Sequence, residues 1–140
     1  MTTNSISAQG TLFYISTAAY TTSPTTYAAV GEVQTFDGPS GQANVIDATH
    51  LQSSAKEKLM GLPDEGQITI GGNYVSTDSG QDHMFDARSL QQKRDFKLQL
   101  SNGELWLFQG FVLQFGISGG VDDKVTFSAT VEISGPVSRI

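Results

Sequence analysis

Histidines, carboxylates and a serine–lysine pair are the residues of this 140-residue chain that are able to perform chemistry. The two histidines, His50 and His83, are far apart in the sequence, and only Asp86 lies one helical turn from His83. A catalytic zinc ion normally takes three protein ligands, so this set is too small. The sequence therefore predicts no metal site, and it predicts no cofactor.

A second candidate, Ser53-x-x-Lys56, matches the acylating motif of penicillin-binding enzymes. That mechanism also requires a Ser-Asp-Asn and a Lys-Thr-Gly element, and neither occurs, so we interpret the match as chance. Asp122 and Asp123 follow two glycines between strand-like segments, without the ligand spacing of a calcium loop. We interpret these two residues, and likewise Asp64 and Glu65, as solvated turn residues. The sequence therefore predicts no catalytic residues and no enzymatic activity.

Composition and charge exclude several classes of protein. The net charge is −6 and the basic residues are scattered, which argues against nucleic-acid binding because that affinity comes largely from neutralising phosphates. Cysteine is absent, which excludes disulfides and thiolate metal sites. The first nine residues are polar, and no apolar run approaches the roughly 20 residues of a membrane-spanning helix, so neither export nor membrane insertion is expected.

The elements that would position any site are mostly strands. Fifteen glycines, abundant Thr and Ser and 16% charged residues favour a β-rich fold. Alternating apolar residues predict strands over residues 11–16, 27–36 and 67–75, with a loop around Pro24 after the first. Residues 78–92 are predicted to form a helix that begins with a capping box at Ser79 and Asp82 and lies against the sheet.

The carboxy-terminal third is predicted to be an antiparallel meander. Asn102-Gly103 between two alternating runs indicates a two-residue hairpin turn, which pairs Leu98 with Leu107. This register places Leu100, Leu105, Phe96, Phe111, Leu113, Phe115 and Ile117 on one face. Trp106 and Phe108 then lie on the opposite face, where the predicted helix covers them; an intersubunit contact is the alternative.

Residues 36–65 separate two predicted strands by more than an ordinary connection. The segment is bounded by Gly and Pro clusters and has no evident core of its own, yet it contains six large apolar residues: Val45, Ile46, Leu51, Leu59, Met60 and Leu62. Two interpretations remain open at this point. The segment either binds a partner, or it is a mobile surface loop with a short helix over residues 54–60.

Several segments resemble a known family when they are taken in order. Residues 95–103, 108–116 and 131–136, with residues 47–51 and 61–66 upstream, are similar to the major tail tube protein of long-tailed bacteriophages. The resemblance covers most of the chain. It implies a mainly β (α+β) fold, namely an antiparallel β-sandwich or partial barrel with one flanking α-helix and a long inter-strand loop, and it implies no active site.

The resemblance also implies assembly with copies of the same chain. In this family, hexameric rings stack into a hollow tail tube, and DNA passes through the lumen into the host without specific binding. The expected further partners are the tape measure, tail tip and terminator proteins. The expected location is the virion tail, with assembly in the host cytoplasm. Residues 1–140 are expected to form a single tail-tube domain without a carboxy-terminal decoration domain.

Two groups of site residues follow from the resemblance. The long segment is expected to contact an adjacent subunit or ring, to be mobile in the isolated monomer and to become ordered in the tube, through Val45, Ile46, Asp47, His50, Leu51, Lys56, Lys58, Leu59, Met60 and Leu62. Polar strand faces are expected to line the lumen, through Gln67, Thr69, Asn73, Thr126, Ser128, Thr130 and Glu132. The alternatives are a tube protein of a type VI-like secretion or tailocin system and a monomeric β-sandwich binding module.

Overall fold

Ten β-strands and one α-helix form the part of the chain that the computed structural model describes, residues 9–18 and 26–140, with only the backbone of Asn44. The predicted loop around Pro24 lies outside these residues. The elements in chain order are β1 Leu12–Ser16, β2 Tyr27–Ala29, β3 Val33–Asp37, β4 Gln42–Asp47, β5 Lys58–Asp64, β6 Gln67–Asn73, α1 Ser79–Leu90, β7 Lys93–Gln99, β8 Leu105–Ser118, β9 Thr126–Ile133 and β10 Ser138–Arg139.

Eight of the strands form one antiparallel sheet in the order β2-β1-β7-β8-β9-β6-β3, with β10 added beside β8. The 14-residue strand β8 joins the two halves, because its first half pairs with β7 and its second half pairs with β9. Both halves and α1 enclose a single hydrophobic cluster. The predicted mainly β fold with one flanking helix is confirmed.

The core follows the period-two pattern of the strands. Ile68 and Ile70 of β6 are buried, as are the four apolar residues of β9, Phe127, Ala129, Val131 and Ile133. Met84 and Ala87 of α1 complete the cluster from the helix side. Each fully buried large apolar side chain stabilises the fold by about 1.5–3 kcal/mol, so this alternation fixes which strand face points inward.

The helix begins one residue away from the predicted capping box. Asp78, and not Ser79, is the N-cap: its carboxylate accepts hydrogen bonds from the backbone N–H of Gln81 at 2.9 Å and of Gly31 at 3.0 Å. The carboxylate of Asp78 thus accepts from the amide of Gln81, which has no partner within the helix, and from the amide of Gly31 in a turn distant in sequence. The sequence contains a second capping pattern one residue earlier, Asp78-x-x-Gln81, and this is the one that forms.

The predicted register of the hairpin between β7 and β8 is wrong by one residue. Leu98 pairs with Trp106, and Phe96 pairs with Phe108. Leu100 accepts from the N–H of Gly103 and donates to the carbonyl of Glu104, so the loop has three residues and ends in a left-handed glycine. The shift exchanges the two faces of the strand.

The exchange buries aromatic residues in place of leucines. Phe108 is only 3% exposed and stacks on Phe96 with ring centroids 5.6 Å apart, and Phe13 also contacts it. Trp106 packs against the same core and is half-buried. Phe111 and Leu113, which were predicted to share a face with Phe96, are exposed. The predicted cover of Phe108 by α1 or by another subunit is therefore replaced by burial in the main core.

The single strand predicted over residues 27–36 is two strands. β2 pairs with β1, whereas β3 pairs with β6 at the other end of the sheet order. A turn at Gly31 and Glu32, with Glu32 in the left-handed region, carries the chain from one half of the sheet to the other. The break follows from the two halves needing different partner strands.

Candidate assembly surfaces

Residues 42–64 form a separate two-stranded hairpin outside the main sheet. β4 and β5 pair only with each other among the described strands, with Val45 opposite Met60 and Ile46 opposite Leu59. We call β4, β5 and the connecting residues 48–57 the arm. The short helix considered for residues 54–60 is wrong, because residues 58–60 already belong to β5.

The arm exposes all six of the large apolar residues that the sequence placed there. Their exposed fractions are Val45 64%, Ile46 51%, Leu51 106%, Leu59 60%, Met60 78% and Leu62 90%. Opposed residues of a hairpin point to the same side, so Val45 and Met60 share one face while Ile46 and Leu59 share the other. Met60 and Pro63 lie opposite Val45 and Ala43, so β5 has one extra residue between them, and this bulge places Leu62 on the face of Leu59 and not on that of Met60. A ribbon that is apolar on both faces requires cover on both.

The tip of the arm is held by local hydrogen bonds. The carboxylate of Asp47 accepts from the N–H of Thr49 at 2.9 Å, and hydrogen bonds from the Thr49 hydroxyl and amide lower the pKa of Asp47. His50 lies 3.2 Å from Glu57, and both side chains are more than half exposed. The tip is therefore a shaped turn and not an irregular loop.

The residues of the acylation-like pattern have no catalytic arrangement. The hydroxyl of Ser53 accepts a hydrogen bond from the backbone N–H of His50, and Lys56 is exposed on the same turn. Asp64 accepts from the N–H of Gly66 at the root of the arm, and Asp122 lies in the turn between β8 and β9. Asp122 is a turn residue, as predicted, whereas Asp64 is the last residue of β5.

The residues predicted to face a lumen form one continuous polar surface. In the register of β6 with β9, Gln67 lies opposite Glu132, Thr69 opposite Thr130 and Asn73 opposite Thr126, while Ser128 lies opposite Gly71. Gln67 donates a 2.7 Å hydrogen bond to Glu132 across the strands. The structure therefore brings all seven of these residues together on the side of the sheet away from the core.

This surface extends onto both neighbouring strands. On one side β3 adds Thr35 and Asp37, and on the other β8 adds Gln114, Gly116 and Ser118. We call this side of β3, β6, β9 and residues 111–118 of β8 the polar face. No Lys or Arg occurs in these described strand segments, whereas Asp37 and Glu132 are acidic. The sequence alone missed Thr35 and Gln114, because irregular registers in β3 and β8 displace the alternation there.

The polar face has an open strand edge on each side. At one side, β3 ends the sheet order and, among the described strands, pairs only with β6. At the other side, residues 112–118 of β8 pair with β9, but β7 ends at the level of Phe111 and no other described strand replaces it. Such edges present unpaired backbone amides and carbonyls, which form a template for another strand.

Other kinds of site find no support in the described residues. No group of three or more His, Cys, Asp or Glu side chains in residues 9–18 and 26–140 is arranged to hold a metal ion. Over the same ranges, no helix has the length and apolarity needed to cross a membrane.

Comparisons with known proteins agree on one kind of structure. The family model for the lambda phage tail tube protein matches residues 12–138. Among solved structures, a chain of the virion of the native gene transfer agent particle is 12% identical, with a TM-score of 0.76 over 97% of this chain and 99% of that chain. A chain of the tail of the empty gene transfer agent particle, refined with C6 symmetry, is also 12% identical, with a TM-score of 0.75 over 97% of this chain and 99% of that chain.

The tail tube of SPP1 is a third neighbour. It is 13% identical, with a TM-score of 0.70 over 96% of this chain and 78% of that chain. No match was found among curated proteins. At these identities the structural neighbours establish the fold, and the family model covers nearly the whole chain.

Proposed function

Because this chain belongs to the lambda phage tail tube protein family, we propose that its copies close into hexameric rings that stack into a hollow tube and let DNA pass through the lumen. Family membership confirms the resemblance to tail tube proteins and the prediction of a structural protein without enzymatic activity. The ring, the stack and the passage of DNA are the parts that we propose.

The observation that carries the proposal is the pair of open edges beside the polar face. Successive strands in the order β8-β9-β6-β3 are antiparallel, so β3 and β8 of one chain run in opposite directions. The β3 edge of one copy can therefore pair antiparallel with residues 112–118 of β8 in the next copy, and the same contact repeats around a closed ring. Six copies with four strands each, at about 4.8 Å per strand, give a diameter of about 37 Å before strand tilt.

The number six is supported by the C6 symmetry with which the tail of the gene transfer agent particle is described. In such a ring, the polar face would line the inside. A surface with Asp37 and Glu132 and without cations repels phosphates, so DNA would slide through without being held. The residues proposed to face the lumen remain Gln67, Thr69, Asn73, Thr126, Ser128, Thr130 and Glu132.

The arm would supply the contacts between copies. Its exposed apolar residues contribute nothing to the main core, and cover by a neighbouring subunit or ring would remove them from water. We propose this role for the whole predicted set of arm residues, including Asp47, His50, Lys56 and Lys58. The tube would form in the host cytoplasm and remain in the virion tail, bound at its ends and interior by other tail proteins.

Electron microscopy of the concentrated full chain tests the ring and the stack. We expect tubes of stacked rings, and we expect the double variant Met60→Asn with Leu62→Asn to remain monomeric. Leu12→Asn is the matched control, because Leu12 is an exposed apolar residue of β1 outside the arm. Wild-type protein that stays monomeric, even with tail tips added as nuclei, would identify a free-standing binding module instead.

Hydrogen exchange tests the arm separately. The amides of residues 42–64 should exchange rapidly in the monomer and slowly in the tube, because assembly covers both faces of the arm. Equal exchange in the two states would contradict the proposed role of the arm.

A charge change tests the lumen. Tubes of Ser128→Lys, which adds one cation per subunit to the polar face, should retain short duplex DNA at low salt and release it as salt rises. Wild-type tubes and tubes of Gln99→Lys, which lies in β7 outside the polar face, should not retain DNA. Equal retention by the two Lys variants would show that Ser128 does not face the lumen.

A further inference from the structure

A depression of about 550 Å³ lies between the last turn of α1 and the open edge of β8. It is lined by Arg88, Ser89, Gln91, Phe111, Val112 and Leu113. Phe111 is 38% exposed and Leu113 is 52% exposed, and the exposed guanidinium of Arg88 brings positive charge to the rim. We call this surface the β8 depression. Its lining residues combine an apolar floor with one cation.

The direction of the strands determines what reaches the β8 depression in a ring. Across the sheet, Gln67 lies opposite Glu132, and Glu132 lies opposite Phe111. The root of the arm, at Gly38 and Gly66, is therefore at the same end of the polar face as the β8 depression. When β3 of the next copy pairs antiparallel with the open edge of β8, the arm of that copy leaves the sheet beside the β8 depression.

The root half of the arm has the complementary chemistry. Leu62 and Leu59 share one apolar face of the arm and are 90% and 60% exposed. The exposed carboxylate of Asp64 follows at the root, where its Oδ1 accepts a hydrogen bond from the N–H of Gly66. The apolar face of the arm is complementary to the apolar floor of the β8 depression, and the carboxylate of Asp64 is complementary in charge to Arg88 at its rim.

We infer that the β8 depression receives the arm of the next subunit in the same ring. Leu62 packs against Phe111 and Leu113, and Asp64 lies beside Arg88. The inference rests on the proposed ring and specifies which copy covers this face of the arm. The other apolar face, with Val45 and Met60, stays available to a neighbouring ring.

Engineered disulfides test the inference cleanly, because the chain has no cysteine of its own. The arm pair is Leu62→Cys with Leu113→Cys, and the ring pair is Thr35→Cys with Gln114→Cys at the proposed β3–β8 contact. Each pair forms a bond only where its two Cα atoms come within about 7 Å. After assembly and mild oxidation, we expect both pairs to yield covalent ladders that stop at the closed ring, while each single variant yields at most dimers.

The outcomes separate the inference from the proposed ring. Cross-linking by the ring pair without the arm pair would overturn the inference and leave the ring standing. An arm-pair ladder that continues beyond six copies would place the arm on the next ring and would also overturn it. If neither pair cross-links and no tubes form, the ring itself is refuted.

Charge reversal gives an independent test. Arg88→Glu or Asp64→Arg alone should raise the protein concentration needed for assembly by about fivefold, at the upper end for an exposed ion pair. The double variant should recover wild-type assembly, which a local effect on the stability of α1 would not produce. Failure of the double variant to recover would contradict the pairing of Arg88 with Asp64.

Discussion

The side chain of Gln81 is expected to be the most sensitive polar group in the fold. It is 1% exposed and makes three hydrogen bonds: its Oε1 accepts from the N–H of Val75 at 2.9 Å, and its Nε2 donates to the carbonyls of Gly31 at 3.0 Å and Asn73 at 2.9 Å. These bonds join α1 to the end of β6 and to the turn before β3.

Replacing Gln81 with Ala should destabilise the monomer by about 3–4 kcal/mol, since each net hydrogen bond contributes about 1–1.5 kcal/mol and its buried partners are left unsatisfied. Urea unfolding followed by circular dichroism measures the change. Ser89→Ala, at an exposed position of the same helix, is the control and should change stability by less than about 0.5 kcal/mol. Equal effects of the two variants would refute the role assigned to Gln81.

The variant Gln81→Glu adds a pH signature. The introduced carboxyl keeps the acceptor for Val75 but loses both donors, and two carbonyl oxygens and burial raise its pKa in the folded state. A raised folded-state pKa means that the folded protein binds the proton more tightly than the unfolded chain does. The stability gap from wild type should therefore be largest at neutral pH and should shrink as pH falls. A gap independent of pH would contradict this account.

Two further predictions concern single residues. Gly80→Ala should destabilise the monomer by about 2–3 kcal/mol despite the higher helix propensity of Ala, because the added Cβ would overlap the carbonyl of Ala29. Thermal unfolding measures this loss, and the control Gly116→Ala should show none, because a Cβ at Gly116 meets no other atom. Thr49→Val should raise the pKa of Asp47 toward its ordinary value. Because the pKa of Asp47 is lowered in the folded arm, its carboxylate stabilises the arm above the unfolded-state pKa, and this stabilisation is lost as pH falls through the folded-state pKa. NMR titration of the arm measures the pKa of Asp47 in both proteins.

Local pattern predicted most of the elements because their signals lie within a few residues. Alternation located β1, β6 and β9, and the polar and apolar faces of β6 and β9 were assigned correctly. The N-cap of α1 was assigned one residue too late, because Asp78-x-x-Gln81 and Ser79-x-x-Asp82 overlap and both resemble a capping box. The six apolar residues of the arm were recognised as lacking cover, although their hairpin was not predicted.

The sequence by itself determined a mainly β chain with one helix, polar strand faces without cations and a long segment whose apolar residues lack cover. Composition and alternation express these properties directly. Only the tertiary structure decided the register of β8. Asn102-Gly103 is compatible with loops of two or three residues, and burial of Phe108 against Phe13 and Phe96 selects the longer one. The open edges and the β8 depression likewise exist only because strands distant in the chain end at different levels of one sheet.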